Sequence, residues 1–582
     1  MDIIRKIIAC TGKIERVHTE SLASTEAFSD MAARFADMPG TVVLLSGGDH
    51  DAARYHLLAT APWLVVKSHG KEVIFEAGDQ TWRENGDPLD MVQALVNGFR
   101  FRDPALFGPV AAGLFGYLAY DLKDFVETLP KTTIDDLGLP QLCLYAPSAI
   151  VVHDRLTGEN RLHVPVRKPV GGGASAAADC ARQAFYDRLA ARRGSAESFS
   201  GDSAGFSARF DRRSYMAAVD CVKNYIRAGD IYQVNLSQRF ETDFYGSSFA
   251  MFRTLFESAP APFYAYVHAG DHRIVSTSPE RFVRRRGTAV ETRPIKGTRP
   301  RGETAVQDRA NAEALQASGK DDAELSMIVD LMRNDLGRVC RGGSVKVTAH
   351  KRLEAYENVF HLVSIVEGRL KAGKDTVDLI RAAFPGGSIT GCPRIRAMEI
   401  IDELEPCRRH IYTGSIGYIG FDDTADLSIA IRTATIVGNR MVFSVGGGVV
   451  FDSDPAGEYE ETIDKGRSVM GVFKNRAAAA TDVRFAWCNG LIVPLSDVYL
   501  PVTDEGIQYG FGFFETIRAE NGTPCWLDDH LERFCRSWEA LFETTPPDLS
   551  WPDILAAVIS ANGLEKGTAA VKLMSVMPQR PF

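Results

Sequence analysis

Strand-like runs recur along most of this chain: "TVVLLSGG", "WLVVKS", "KEVIFEA" and "SAIVVHDR" early on, "IYQVNLSQRFE" and "HRIVSTSPERFVRR" later. Between them lie stretches of helical periodicity, such as "RRSYMAAVDCVKNYIRAGD" and "KDDAELSMIVDLMRNDLGRV". Period-two alternation and apolar spacings of three and four belong to different elements, so the chain reads as mixed helix and sheet. The stretch "RMVFSVGGGVVFDSDPAGEYEETIDKGRSVMGVF" predicts strand, glycine turn, loop and helix in succession. At 582 residues the chain has room for about three to five domains.

Composition shifts mark the joints. Residues 1–166 form an N-terminal region. Two small-residue-rich segments around one short helix make 167–208 a flexible connection. Residues 209–473 carry the strongest helix and strand patterns. "KNRAAAATDVR", 474–484, reads as a linker, and 485–582 begin afresh with strands, helices and turns. No internal repeat of fixed period is present.

The charge, 66 − 75 = −9 without a polybasic tail, argues against general nucleic-acid binding. Ten cysteines without a C-x-x-C pair fit reduced thiols. Charges interrupt the apolar residues of "MDIIRKIIACTGKIER", and no run approaches the ~18 apolar residues of a membrane helix. A soluble, cytoplasmic protein without membrane contact is expected.

Several residues carry chemistry. Glu458, Glu461 and Lys465 fall on one helix face, and Glu324 lies at the start of another helix. Solvated faces would explain them, whereas two carboxylates converging from separate helices would suit Mg²⁺. The glycines of "VGGGVV" (Gly446, Gly447, Gly448) and "FPGGSITGCP" offer backbone N–H groups for anions, or simply tight turns. Arg432 stands inside the apolar, strand-like "LSIAIRTATIV" and calls for an anionic partner, from the protein or from a ligand. Lys296, in "ETRPIKGTRPRG", could be a surface charge, an anion binder or a nucleophile; nearby arginines favour its neutral form.

Read in order, "SPERF", "PIKGTRPRG", "AELSMIVDLMRNDLGRV", "NVFHLVS", "FPGGSITGCPR", "IAIRTA" and "GGGVVFDSDPAGEYEETIDKG" resemble the chorismate-utilising enzymes. These are anthranilate synthase component I, aminodeoxychorismate synthase component I, and the isochorismate and salicylate synthases. The resemblance covers about 30–473. It implies an α+β fold, a two-sheet sandwich with outer helices and chorismate between the sheets. Glu324 and Glu461, with Glu458 close by, would be Mg²⁺ ligands. Arg432, Gly446, Gly447, Gly448 and Lys465 would hold substrate carboxylates, and His361 and Thr390 would line the ring. Glu280, in "SPE", would protonate the departing 4-hydroxyl. Gln233 stands where isochorismate synthases carry a lysine base, which disfavours hydration. "PIKGT", where anthranilate synthases have "PIAGT", makes Lys296 the expected nucleophile at C2 of an aminodeoxychorismate synthase of folate biosynthesis. The rivals are anthranilate synthase component I and a non-catalytic, effector-binding scaffold.

No "G-x-C-x-G" glutaminase elbow occurs, so a glutamine amidotransferase subunit is the expected ammonia source. The N-terminal region resembles the part that holds tryptophan in relatives, with "VVLLSGGD" the expected contributor. The end of the chain resembles the start of a fold-type-IV pyridoxal-phosphate (PLP) enzyme, aminodeoxychorismate lyase, through Gly510, Gly512, Glu515, Thr516, His530 and Arg533. Phe511 replaces the usual Asp, and Arg533 would contact the PLP phosphate. The chain stops before a Schiff-base lysine, so an incomplete α+β N-terminal subdomain without PLP activity is expected.

Overall fold

The computed structural model describes residues 2–23, 26–101, 107–168, 174–191, 198–201, 205–479, 485–488, 491–494, 512–547, 549–562 and 564–576. It comprises two compact units, Met1–Phe473 and Lys474–Phe582.

In the first unit the strands form two layers over a mainly strand-built core that includes Val42, Leu57, Phe115, Tyr117, Ala265, Ile274 and Ile416. Helices cover the outer faces. Leu89 and Val92 of Pro88–Gly98, Ile328 and Leu336 of Gly319–Val339, and Ile380 of Thr376–Ala383 share one outer core. Phe185 of Ala174–Ala190 and Phe252 of Ser248–Ser258 belong to another. The layers ignore the boundary between 1–166 and 209–473. Ser415–Gly420 pairs with Gly113–Leu118, and Phe263–His268 pairs with Val42–Leu45. Residues 1–473 therefore share one sheet framework.

The run "GLFGYL" is buried at all six positions because both of its faces are covered: Leu114 and Leu118 join the helix-covered core, Phe115 and Tyr117 the core between strands. Gly116 faces Gly417 across that pairing, both with positive φ, and a side chain at either would strike a backbone carbonyl.

Three further differences from the sequence reading have physical reasons. Within 167–208 the described residues carry more regular structure than one short helix. Ala174–Ala190 runs for 17 residues with Phe185 buried, and Phe199–Gly201 adds a strand to Gln233–Gly246. The 474–484 linker is helical as far as Ala479, because the alanines extend the Pro455–Ala479 helix. Gly446, Gly447 and Gly448 form no turn; they lie in the strand Arg440–Val449, opposite Ser237, Leu236 and Asn235.

A buried ion pair ties the Gln233–Gly246 strand to the segment that carries "SITG". Arg409 donates to both oxygens of Glu405 at 2.9 and 2.7 Å, to the Asn235 carbonyl at 2.6 Å and to the Ile389 carbonyl at 3.0 Å. Glu405 in turn accepts from the backbone N–H and hydroxyl of Ser237. Arg409→Met leaves that carboxylate buried without its cation, so stability should fall by about 3–5 kcal/mol in a urea unfolding titration.

The second unit packs Leu527–Phe542 on an antiparallel sheet of Thr523–Pro524, Gly512–Glu520 and Thr568–Val576, and Trp551–Ala561 on the hairpin of Phe485–Cys488 and Leu491–Pro494. Glu515, Ile517 and Ala519 alternate inward. Gly510 and Phe511 lie outside the described residues. Among the described residues no helix is long and apolar enough to cross a membrane.

Candidate active site

Three distant segments meet around Ser388. Lys296 sits on the strand Ile295–Pro300, Glu280 between His272–Ser278 and Arg281–Arg286, and Ser388 in the short turn Gly387–Ile389. The Lys296 ammonium nitrogen donates to the Ser388 carbonyl at 3.1 Å, and the Ser388 hydroxyl donates to Glu280 Oε1 at 2.6 Å. One residue thus links an amine and a carboxyl group. In the sequence Ser388 stands out only as part of "FPGGSITGCP", a possible anion nest.

The environment of each group favours its neutral form. Glu280 is 4% exposed; burial pushes its pKa up to about 7, against the opposing pull of Ser388 and Lys296. Burial also lowers the Lys296 pKa below the ordinary lysine range, with Glu324 the largest opposing influence. A base kept free of its proton and an acid kept in possession of one can work together near neutral pH.

His361 lines the same pocket on the strand Val359–Arg369, next to Thr298 in register. Burial, then the neighbouring Arg432, drops its pKa to about 3, so the imidazole is neutral. Its Nδ1 lies 2.9 Å from the Thr298 hydroxyl, while Nε2 is buried without a hydrogen-bond partner among the described residues. Thr390 faces the site less directly than expected: it is fully buried and its hydroxyl donates to the Gly386 carbonyl at 2.8 Å, which shapes the turn. Arg432 is not inside a strand. It occupies the junction between Thr424–Ile429 and Thr433–Val437 with φ of 50°, a left-handed conformation disfavoured for arginine. Burial lowers its pKa, Tyr264, Tyr356 and Glu280 stand near it, and among the described residues it makes no ion pair. A ligand carboxylate would satisfy it.

The carboxylates converge from two helices. On Pro455–Ala479, Glu458 Oε1 accepts from the Ser453 hydroxyl at 2.6 Å, whereas its Oε2 is buried without a partner among the described residues. Glu461 pairs with Lys465 at 2.6 Å, and Lys465 also donates to the Gly446 carbonyl at 2.9 Å. A methyl group on Gly447 would stand 2.9 Å from Glu458 Oε2 and 3.4 Å from Glu461 Oε1, so the bare backbone leaves room for both carboxylates. Glu324 approaches from Gly319–Val339, in its second turn. Burial raises the pKa of Glu324 and Glu458; burial is also the largest influence on Glu461, but Lys465, Lys296 and Lys320 together outweigh it and the value falls. Among the described residues no three or more His, Cys, Asp or Glu are assembled as a ready cation cage. Gln233 is 2% exposed and packs its amide against Gly448, with Oε1 unpartnered.

This is the pocket the seven motifs point to, and comparison with known proteins decides the family. Residues 45–471 match the model of the chorismate binding enzymes. The chain belongs to that family. Chorismate-binding relatives of two names stand almost equally near. Anthranilate synthase component 1 of Cereibacter sphaeroides is 39% identical over 446 residues, 74% of this chain and 89% of that one. Aminodeoxychorismate synthase component 1 of Escherichia coli is 38% identical over 445 residues, 75% of this chain and 94% of that one. The crystal structure of anthranilate synthase component I from Streptococcus pneumoniae superposes with a TM-score of 0.65 at 29% identity, covering 73% of this chain and 94% of that one. Overall identity therefore leaves the choice of reaction to the pocket. Residues 512–579 match the class IV amino-transferases.

Two other segments named in the sequence analysis have the following surroundings. "VVLLSGG" supplies Leu45 and Ser46 to a half-open cavity of about 220 Å³ that Asp51, Tyr264, Arg281 and Asp426 also line. In the second unit, Arg533 directs its guanidinium at both oxygens of Glu515, at 2.6 Å each, with His530 Nδ1 3.0 Å from the same carboxylate.

Proposed function

We propose that this chain is the chorismate-aminating component of an aminodeoxychorismate synthase, acting in p-aminobenzoate and folate biosynthesis. The observation that carries the reading is the Lys296–Ser388–Glu280 arrangement, an amine and an acid joined through one residue where burial favours the neutral form of each. Neutral Lys296 attacks C2 of chorismate, the ring double bond shifts, and the 4-hydroxyl leaves as water with the Glu280 proton. The bond to Lys296 is a secondary amine, whose surplus proton returns to Glu280. Ammonia then adds at C4, the double bond shifts back, and Lys296 departs with a proton from the incoming nitrogen. The sum is chorismate plus ammonia giving 4-amino-4-deoxychorismate plus water. Arg432 and Lys465 bind the substrate carboxylates, and His361 packs along the ring.

Glu324, Glu458 and Glu461 fit a hard divalent cation, because Glu458 offers a buried, unpartnered oxygen beside Glu461. Mg²⁺ held there would supply positive charge for a substrate carboxylate. Gly447→Ala crowds both glutamates, so the Mg²⁺ concentration for half-maximal activity should rise about tenfold, a change that a Mg²⁺ titration of turnover measures.

Ammonia is supplied by a separate glutamine amidotransferase subunit in this reading, and tryptophan occupies the cavity behind "VVLLSGG". PLP fits poorly: Arg533, the expected phosphate contact, is already paired with Glu515, and no step is assigned to that cofactor. The test incubates the full chain with chorismate, an ammonium salt and Mg²⁺ and identifies products by mass and retention time. Aminodeoxychorismate supports the reading. Anthranilate as the product, or no turnover, overturns it.

A further inference from the structure

Asp51 follows directly on the "LLSGGDH" segment, outside the reaction pocket. Its two oxygens accept from Nη1 and Nη2 of Arg293, both at 2.8 Å, and Oδ1 accepts from Arg352 Nη2 at 2.9 Å. Arg293 ends the strand Ala289–Arg293, three residues before Lys296. Arg352 lies on Lys346–Ala355, the strand on the other side of Val359–Arg369. The registers bring these together. Lys296 and Leu353 both face Leu362, and Thr298 and Glu354 both face His361. The strand that carries His361 therefore lies between two strands, and one carboxylate holds an arginine belonging to each side.

The arginines are held from behind as well. Arg293 Nε donates to Glu291 at 2.6 Å, and Glu291 also accepts from Arg281 and Arg284 at 2.6 Å each. Arg352 pairs with Glu354, whose second oxygen accepts from the Tyr356 hydroxyl at 3.2 Å. The Tyr356 ring meets His361 edge-on at 5.1 Å and packs on His50 at 4.3 Å. A bidentate guanidinium–carboxylate fork fixes direction as well as distance. Here one such fork, from Arg293, and a single hydrogen bond from Arg352 converge on a residue that touches neither Lys296 nor His361.

We infer that Asp51 is a positioning residue for the amination reaction, setting the strands that aim Lys296 and His361 at the substrate ring. The inference rests on the reading of Lys296 as nucleophile. An amine displaced by about 1 Å loses on the order of 10²-fold in rate while substrate binding persists. A mis-set lysine also leaves C2 open to ammonia itself, so part of the turnover should be diverted to the 2-amino product.

The experiment compares the full chain with Asp51→Asn, Asp51→Glu and Arg352→Gln, supplying chorismate, ammonium and Mg²⁺ and reading kcat, KM and the ratio of 2-amino to 4-amino product. Asp51→Asn should lower kcat about 10- to 100-fold, with KM within about twofold of the parent and a raised 2-amino share. Asp51→Glu, which keeps both oxygens and the charge, should recover part of the rate. Arg352→Gln, which breaks its arm to Asp51 and its pair with Glu354 but leaves the Arg293 fork, should change the ratio in the same direction, and it serves where Asp51→Asn folds poorly. The product ratio does not depend on how much protein is folded, so a purely structural loss leaves it unchanged. A parent-like ratio and parent-like kcat per folded molecule in Asp51→Asn would overturn the inference while leaving the lysine reading intact. A parent that makes no aminodeoxychorismate overturns the lysine reading, and this inference with it.

Discussion

Lys296→Ala should reduce formation of 4-amino-4-deoxychorismate by about 10³-fold or more, the scale of loss seen when a covalent nucleophile is removed. The methyl group cannot form the bond to C2, so the two-step route closes. The rest of the pocket survives. Glu280 keeps its hydrogen bond from Ser388, and the charges that face chorismate are untouched. Ammonia entering at C2 in place of the lysine would give the 2-amino product, and a trace of anthranilate is the expected remainder. Substrate affinity should change little, because among the described residues Lys296 donates only to the Ser388 carbonyl and binds none of the groups assigned to the substrate carboxylates. Removing a buried amine whose pKa burial depresses should not weaken the fold. Quantifying both products by mass, alongside KM and the unfolding midpoint, checks the four expectations together. Undiminished aminodeoxychorismate from the alanine variant would end the covalent mechanism.

Much of this site was legible in the sequence because its chemistry sits in short runs with fixed neighbours. "PIKGT", "SPE", "FHL" and "GEYEETIDKG" named Lys296, Glu280, His361 and the glutamates without reference to any contact. What the chain did not disclose is which runs touch. Ser388 lies 92 residues from Lys296 and 108 from Glu280, and only the sheet brings them within hydrogen-bond distance. Local composition also misled in identifiable ways. A run of three glycines usually signals a turn, but at Gly446–Gly448 the missing side chains admit Glu458, Glu461 and Gln233 against an ordinary strand. Arg432 sits in an apolar run that reads as continuous strand, and nothing in the pattern marks the left-handed residue that breaks it. The connection at 167–208 looked loose from its alanines and glycines, whereas the buried Phe185 anchors its helix.

Glu280→Gln separates the proton from the shape of the acid. Glutamine fills the same space and can accept from the Ser388 hydroxyl, but it has no proton to give the departing 4-hydroxyl. A loss of about 10²–10⁴-fold in kcat is expected, the usual weight of a general acid. The pH dependence sharpens the assignment. Glu280 acts protonated with a pKa near 7, so the parent's activity should fall as pH rises through about 7. Lys296 acts unprotonated, so the acid side of the profile should fall as well, and the two limbs report the coupled pair. In Glu280→Gln the alkaline limb should vanish and the residual rate should level off with rising pH. Stability should move the other way. A carboxyl group whose pKa is raised by folding from 4.5 to about 7 supports the fold below 4.5, and that support is lost as pH climbs through 7. Glutamine never ionises, so the variant should match or exceed the parent in unfolding midpoint above pH 7 while remaining far less active. A variant that keeps the alkaline limb would assign that titration, and the acid role with it, to another group.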